Sequence, residues 1–503
     1  MAIIKRSPLI KPITFLSATL FLLLGTLHPL PAQAPDTLCT RTYGGSNHDW
    51  GYSVQQTGDG GFVVAGLTES FGAGERDAWL IRTDAQGDTL WTRTFGGSNH
   101  DWGYSVQQTA DGGFVVAGYT ESFGAGERDA WMIRTDTRGD TLWTRTYGGS
   151  SFDEGYSVQE TSDSGFVVVG YTGSFGAGVS DVWLIRTDAE GDTLWTRTFG
   201  GINSDRGSSV QQINDGGYIL TGTTASFGAG GADVWLLRTD ANGDTLWTRT
   251  YGGSGDDQGY SVQQTSDGCY IICSHTYSFG AGSYDVWLIK TDANGDTLWT
   301  RTYGGSGNDY GRSVQQTSDG GFVVAGYTYS FGVGWADVWL IRTDAEGDTL
   351  WTRTFGGINS DGGSSVQQIN DGGYILTGTT ASFGAGSADV WLIRLTPEAP
   401  IAIEPKGTQT PAAFALSQNY PNPFNPITTI RFALPRATAV RLVVYDIQGR
   451  EVARLVDGDW PAGYHRVVWD GRDATGREMP TGLYIARLLA PGYVKSIKLV
   501  LLR

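Results

Sequence analysis

The sequence predicts an all-β protein: a seven-bladed β-propeller closed by an N-terminal strand, followed by a small C-terminal β-sandwich. Three observations carry that prediction. The phrase DTLWTRTFGG begins at Asp88 and returns at Asp140, Asp192, Asp244, Asp296 and Asp348, with a variant DTLCTRTYGG at Asp36, so the period is 52 residues. A second phrase, DVWLIR and its close variants, keeps step with it through Trp79, Trp131, Trp183, Trp235, Trp287, Trp339 and Trp391. Periods of this length belong to solenoids, propellers and arrays, whose units bury apolar faces only against their neighbours. The third observation concerns the ends. The last unit stops at Arg394 without a DTLW strand, while the orphan copy Asp36–Gly45 stands near the start of the chain. In a ring that copy completes the last unit and covers an exposed sheet edge, whereas an open solenoid gains nothing from it.

Residues 1–34 read as a secretory signal. Lys5, Arg6 and Lys11 precede the apolar run Ile13 to Leu27, and small residues follow around Ala32 and Ala34. Cleavage after Ala34 fits the A-x-A pattern, but Pro35 would follow the cut, so Ala32 and Ala34 both stand as sites. No other apolar run approaches the ~20 residues that a spanning helix needs. The mature chain is therefore expected to be exported, extracellular or on the outer-membrane surface, with no transmembrane segment.

Within residues 35–394 each unit reads as four strands: GYSVQQT, FVVAGYT, DVWLIRTD and DTLWTRTFGG. Turns such as Asp111-Gly112-Gly113 and Asp292-Ala293-Asn294-Gly295-Asp296 join them as hairpins, because Gly supplies positive φ and Asp or Asn bonds its own backbone. Apolar residues on both faces of the middle strands ask for a neighbouring sheet on each side. With the orphan strand outermost in its blade, GYSVQQT is innermost and lines a central channel. The tight hairpins then share one face of the disc, and the loops GGSNHDWG and ESFGAGERD share the other.

Charge is distributed unevenly. Residues 35–394 hold 19 Lys and Arg against 43 Asp and Glu, a net of −24, whereas residues 412–503 hold 12 against 7, a net of +5. An acidic body argues against nucleic acid and anionic membrane as partners. The three cysteines form no disulfide framework: Cys39 occupies a Trp position, and Cys269 and Cys273 lie about 13 Å apart on one strand, beyond bridging distance.

The phrase TDANGDTLW resembles the short Asp-box turn of bacterial propellers and the tryptophan-docking repeat of quinoprotein propellers. Its spacing departs from both, and it implies the fold and no cofactor. A Pro-containing linker, 395–411, leads to residues 412–503. There Asn419, Tyr420, Pro421, Asn422, Pro423, Phe424, Asn425 and Pro426 precede TTIRFALP, VRLVVYDIQGREVARL, AGYHRVVWDGRDATG, TGLYIARL and a closing VKSIKLVLLR. This order resembles the C-terminal sorting domain of type IX secretion cargo, related to the immunoglobulin-like domain of the flagellar hook-capping protein. The resemblance implies an Ig-like β-sandwich that engages the type IX secretion machinery, with cleavage and attachment to surface lipopolysaccharide as its fate; a plain structural module is the alternative. The alternating strand at Val440–Tyr445 and the turn at Gln448-Gly449 independently suggest a sandwich.

No catalytic constellation stands out. His48, His100, His275 and His465 lack metal-ligand spacing, no nucleophile elbow or phosphate loop emerges, and the Arg82 and Arg93 series recur in every blade as structural ion pairs would. Unique arginines beside a Tyr/Glu pair, as propeller sialidases carry, are not evident. Asp49, Asp101, Asp153, Asp205, Asp257, Asp309 and Asp361 persist at the entry to the inner strand. They read as Asx turns, with Ca²⁺ ligation by their oxygens as the sharper alternative. The Asp59 to Asp371 series in the DGG hairpins is turn chemistry. Comparison among blades singles out His48, Trp50, His100, Trp102, Phe152, Glu154, Arg206, Gln258, Tyr284, Tyr310 and Trp335, which break the repeat in loops rich in aromatic residues and are the expected ligand surface. The expected protein is a secreted or surface-displayed binding scaffold for an unknown extracellular protein or glycan. An exported polysaccharide hydrolase or lyase, and a quinone-dependent dehydrogenase with a bound chromophore, are the competing readings.

Overall fold

In the computed structural model the described residues are 34–398, 411, 413–416, 419 and 428–501. Residues 1–33, in the expected signal, residues 399–410, in the expected linker, and Tyr420–Pro426 lie outside them. Among the described residues every regular element is a β-strand, and the fold is all-β and propeller-like.

Residues 37–395 build seven four-stranded antiparallel sheets. The first holds Asp49–Gln56, Phe62–Thr68, Asp77–Thr83 and Thr89–Phe95 in spatial order, and the next five repeat it. The last combines Asp361–Gln368, Tyr374–Thr380 and Asp389–Leu395 with Thr37–Tyr43 from the start of the chain. That strand pairs antiparallel with Asp389–Leu395, Thr40 opposite Ile393 and Tyr43 opposite Val390. Thr396 N donates to the Asp36 carbonyl at 2.9 Å to extend the pairing. Arg353, from the preceding sheet, donates to the Pro35 carbonyl and, at 2.6 Å, to Thr37 Oγ1.

Burial follows from composition. Every residue of Phe62–Thr68 and Asp77–Thr83 is buried, because apolar side chains project from both faces into neighbouring sheets. Val63, Ala65 and Leu80 of the first sheet meet Val106, Phe114 and Trp131 of the second. One further core joins Ile375, Val390 and Leu392 of the last sheet to Val54, Phe62 and Trp79 of the first, with Tyr43 among them. The Trp of the outer strand docks on the next sheet: Trp91 meets Phe114 edge-on at 5.8 Å, and a Cβ on Gly139 would come within 2.6 Å of the Trp91 ring. Where Cys39 replaces this Trp, Arg394 lies over Phe62 instead, 5.8 Å from its centroid.

The repeated charges are spent between strands and between sheets. Arg82 pairs with Asp59 of its own hairpin at 2.5 Å, and Arg93 reaches Asp140 of the next sheet at 3.1 Å. Inner strands are also tied to one another. Val106 N donates to Ser53 Oγ at 3.3 Å, and between the last and first sheets Gln56 N donates to Gln367 Oε1 at 2.7 Å.

Beyond the linker, Ala415–Leu416, Thr428–Leu434 and Gly463–Trp469 form one sheet. Thr438–Asp446, Glu451–Trp460, Gly482–Ala490 and Tyr493–Leu501 form the other. Phe432, Leu442, Trp469, Tyr484 and Leu499 fill the core between them. Asn419, at the head of the predicted sorting motif, is buried and donates to Thr428 Oγ1 at 2.9 Å.

Candidate binding mouth

The inner strands of the seven sheets share one irregularity. In the first sheet Gly51 pairs with Gly66 and Ser53 with Ala65, so Tyr52 is left over as a bulge. The same slip occurs at Gly103, Gly155, Gly207, Gly259, Gly311 and Gly363. A bulge re-aims the extra side chain and frees it from the ladder. Here the extra residues are Tyr52, Tyr104, Tyr156, Ser208, Tyr260, Arg312 and Ser364, and all seven line one cavity of about 660 Å³. The frame is sevenfold; the lining is not.

Tyr52, Tyr104 and Tyr156 form a continuous wall, with ring centroids 5.2 and 4.9 Å apart. Burial raises the Tyr52 and Tyr104 hydroxyls above the ordinary phenol range. Tyr156 is raised by burial first and then by Glu154, whose Oε2 accepts from its hydroxyl at 2.8 Å. These hydroxyls are neutral hydrogen-bonding groups at any ordinary pH. Opposite the wall, Arg312 lies 4.2 Å from the Tyr260 centroid and donates to the Tyr327 hydroxyl at 3.1 Å. Behind it His275 is packed among Tyr260, Tyr284 and Tyr310 at 4.8 to 5.0 Å. Burial, with Arg312 adding to it, pushes the His275 imidazole down to about 3, so it is neutral.

Of the residues expected to bind ligand, Arg206 lines the cavity and so does Gln258. Others form a rim. His48 stacks on Trp50 at 5.6 Å, Trp50 and Trp102 are 6.0 Å apart, and Arg76 lies over both indoles. Next to them His100 meets Glu75 at 3.3 Å. Arg128 covers Phe152 and pairs with Glu154 at 2.8 Å. Tyr284 and Tyr310 are 5.5 Å apart. Trp335 stands apart on its loop, 78% exposed, and is not among the cavity-lining side chains. A Tyr/Glu pair, not evident from the sequence, is present as Tyr156 and Glu154, and the arginine that pairs with this glutamate is Arg128. The Tyr wall and Arg312 also went unrecognised, because they lie inside a strand phrase that reads as framework.

The seven Asp residues at the inner-strand entry are buried and spent locally. Asp101 Oδ2 accepts from Gly97 N at 2.8 Å and from Ser122 Oγ at 2.6 Å, and Gly45, Gly149, Gly201, Gly253, Gly305 and Gly357 repeat the backbone bond for the others. The backbone donor lies four residues before the aspartate, so each carboxylate ties down its own entry loop. A second carboxylate approaches each: a Cβ on Gly96 would meet both Asp77 and Asp101, and the Asp77 carboxyl is raised by burial and by Asp101. Ca²⁺ takes six to eight oxygens, and among the described residues no group of three or more His, Cys, Asp or Glu gathers as such a site.

Comparison with known proteins bears on two parts of the chain. Residues 427–490 match the FlgD Ig-like domain family, so the chain carries an Ig-like domain of that kind. The regulatory protein FlaEY of Caulobacter vibrioides is 27% identical over 199 residues, spanning 34% of this chain and 21% of that protein. The chain thus covers about a fifth of that relative. PorZ, a surface component of the type IX secretion system of Porphyromonas gingivalis, is 13% identical with a TM-score of 0.40, over 88% of this chain and 58% of that one. Sqt1 from Chaetomium thermophilum is 12% identical with a TM-score of 0.43, over 74% and 89%. Among the described residues no helix is long and apolar enough to cross a membrane.

Proposed function

We propose that the seven sheets are blades of a closed propeller spanning residues 35–394, with Thr37–Tyr43 as the outer strand of the last blade, and that the propeller binds an extracellular protein or glycan at the mouth lined by the bulged residues. The observation that carries the binding reading is the succession Tyr, Tyr, Tyr, Ser, Tyr, Arg, Ser at one position of a sevenfold frame. A purely structural role would keep that position uniform, as it does the Gln55 series. Supporting closure, the serine and glutamine bonds that tie successive inner strands also tie the last to the first.

Hydrolysis is the weaker reading. Glycosidases of the usual kind flank the scissile bond with two carboxylates, and the side chains lining the cavity include neither Asp nor Glu. Glu154, the nearest pairing carboxylate, is held by Arg128, Tyr156 and Tyr171. The mouth is tested on a glycan array with wild type, Tyr104→Ala and Trp102→Ala. Loss of the bound spots in both variants, without a change in melting temperature, is expected. Unchanged binding by both would remove the mouth from consideration.

The Ig-like module, taken as residues 412–503 behind the linker 395–411, is proposed to direct export through the type IX machinery and attachment at the cell surface. What supports this is the Asn419–Pro426 phrase and the closing strand of the module. In a host with that machinery, a chain lacking 412–503 should stay in the periplasm with its propeller folded; normal surface display would overturn the assignment.

A further inference from the structure

Four arginines approach the mouth, and their surroundings divide them. Arg76 pairs with Glu69 at 2.8 Å, and Arg128 pairs with both Glu121 and Glu154 at 2.8 Å. Arg206 and Arg312 meet only aromatic rings and a phenol: Arg206 lies 4.8 Å from the Tyr171 centroid, and Arg312 is held by Tyr260, Tyr310 and Tyr327. For Arg312, which is part-buried, a guanidinium without a carboxylate is unfavourable for folding alone, because the phenols return only part of its lost hydration; Arg206 is exposed. The chain carries 52 Asp and Glu against 35 Lys and Arg, yet in the cavity that holds these two cations no acidic side chain is among the lining residues. Against the excess of acid in residues 35–394, this is a local positive focus for an anion.

The rest of the lining narrows the anion. Tyr52, Tyr104 and Tyr156 offer flat faces with neutral hydroxyls, and Ser208, Thr223 and Gln258 add uncharged donors and acceptors. Such a set suits a ring bearing many hydroxyls and one negative group. An amine-bearing or cationic ligand would find no counter-charge, and a polyphosphate chain would face the acidic body outside the mouth.

We propose that the mouth recognises an acidic saccharide, with its carboxylate drawn to Arg312 and Arg206 and its ring laid against the tyrosine wall. This rests on the reading of the mouth as a binding site. Arginine presents a planar fork that matches a carboxylate with two parallel hydrogen bonds.

The test uses the full-length mature protein and calorimetric titration with a glucuronic acid oligosaccharide and its carboxyl-reduced, neutral counterpart. Wild type should bind the acidic form about tenfold or more tightly than the neutral one, with affinity falling as salt rises. Arg312→Gln should remove that preference, and Arg312→Lys should restore part of it. Because Arg312 is packed among tyrosines, Arg206→Gln at an exposed position serves as the second variant and should weaken only the acidic titration. Equal affinities for the two sugars, both lost in Tyr104→Ala, would overturn the acidic preference and leave the mouth as a binding site. Acidic-sugar binding that survives Arg312→Gln, Arg206→Gln and Tyr104→Ala would overturn both, as would its abolition by Asn242→Ala and Asn294→Ala on the hairpin side. Failure of the glucuronic acid oligosaccharide to bind at all would overturn the proposal too.

Discussion

The two ends of the inner strands differ more than any other pair of regions in the molecule. At one end Val54 and Gln55 and their six counterparts line an opening of about 290 Å³ with no variation at all. Two residues earlier in the same strands, the lining changes from Tyr to Ser to Arg. The first end is fixed because each glutamine side chain accepts a backbone N–H of the next strand, as Gln211 does from Gln264 at 2.6 Å, so its identity is a condition of assembly. The bulge releases the other position from the ladder, and no bond repeated in every sheet fixes the identity of its side chain. Framework and recognition surface are thus separated by two residues of backbone.

That separation is open to experiment. The largest effect should come from an attack on the framework at its join: deleting Asp36–Gly45 leaves Asp389–Leu395 as a bare edge and removes Tyr43 from a core. The melting temperature should fall by about 10 °C, with aggregation visible by light scattering. An unchanged melting curve and a monomeric scattering profile would break the comparison at its base.

Next in size is Arg342→Met. Arg342 is fully buried and holds Asp319 at 2.6 Å and Glu398 at 2.7 Å, so stranding these carboxylates should cost about 3 kcal/mol. Burial alone would raise the Asp319 carboxyl, but Arg342 outweighs it and holds the group down to about 2. Its unfolded value is near 3.9. The pair therefore adds stability above about pH 4 that is lost as the pH falls towards 2, up to about 2 kcal/mol. Acid unfolding of the variant should lack that window, whereas an identical pH profile would show that the pair contributes nothing.

The smallest expected effect sharpens the comparison most. Gln211→Ala removes one backbone acceptor and should cost about 1 kcal/mol in urea unfolding without altering ligand affinity. Ser208→Tyr, which restores the commoner residue at the mouth, should leave stability unchanged and alter affinity. If both substitutions moved stability alone, the two ends would be one framework.

Much of the architecture was legible because it is repeated. The period, the missing last strand and the orphan copy led to the pairing of Thr37–Tyr43 with Asp389–Leu395, and Cys39 stood out against the Trp series. The Asp49 series could be read from its residue type as bonding backbone nearby, but not that the donor would be the Gly four residues before it. The mouth was harder to see, since Tyr52, Tyr104, Tyr156 and Tyr260 sit in a phrase that alternates like any half-buried strand. The signal was present in two forms. Gly51 and its counterparts interrupt every inner strand, as a bulge would, and the residue after each is Tyr, Ser or Arg. Trp335 is legible for the opposite reason: a solitary aromatic on a loop is conspicuous in sequence, and it stands exposed, outside the lining of the cavity. No local pattern says whether a loop leans inward.

The bond between Asp36 N and Thr396 Oγ1 joins residues 360 positions apart, and this sets the order of events during folding. Each of the other six sheets within residues 37–395 is assembled from one stretch of contiguous chain. The last must wait until nearly all of residues 37–395 exist, so the earliest strand made is the latest to find its place. The extra loop-closure entropy is small, about 2 kcal/mol relative to a single repeat, because it grows only with the logarithm of length. The delay is the larger matter: throughout it Thr37–Tyr43 and the edge it will cover both have unpaired backbone. Once the strand is in place, Arg41 pairs with Asp88 of the first sheet at 2.9 Å.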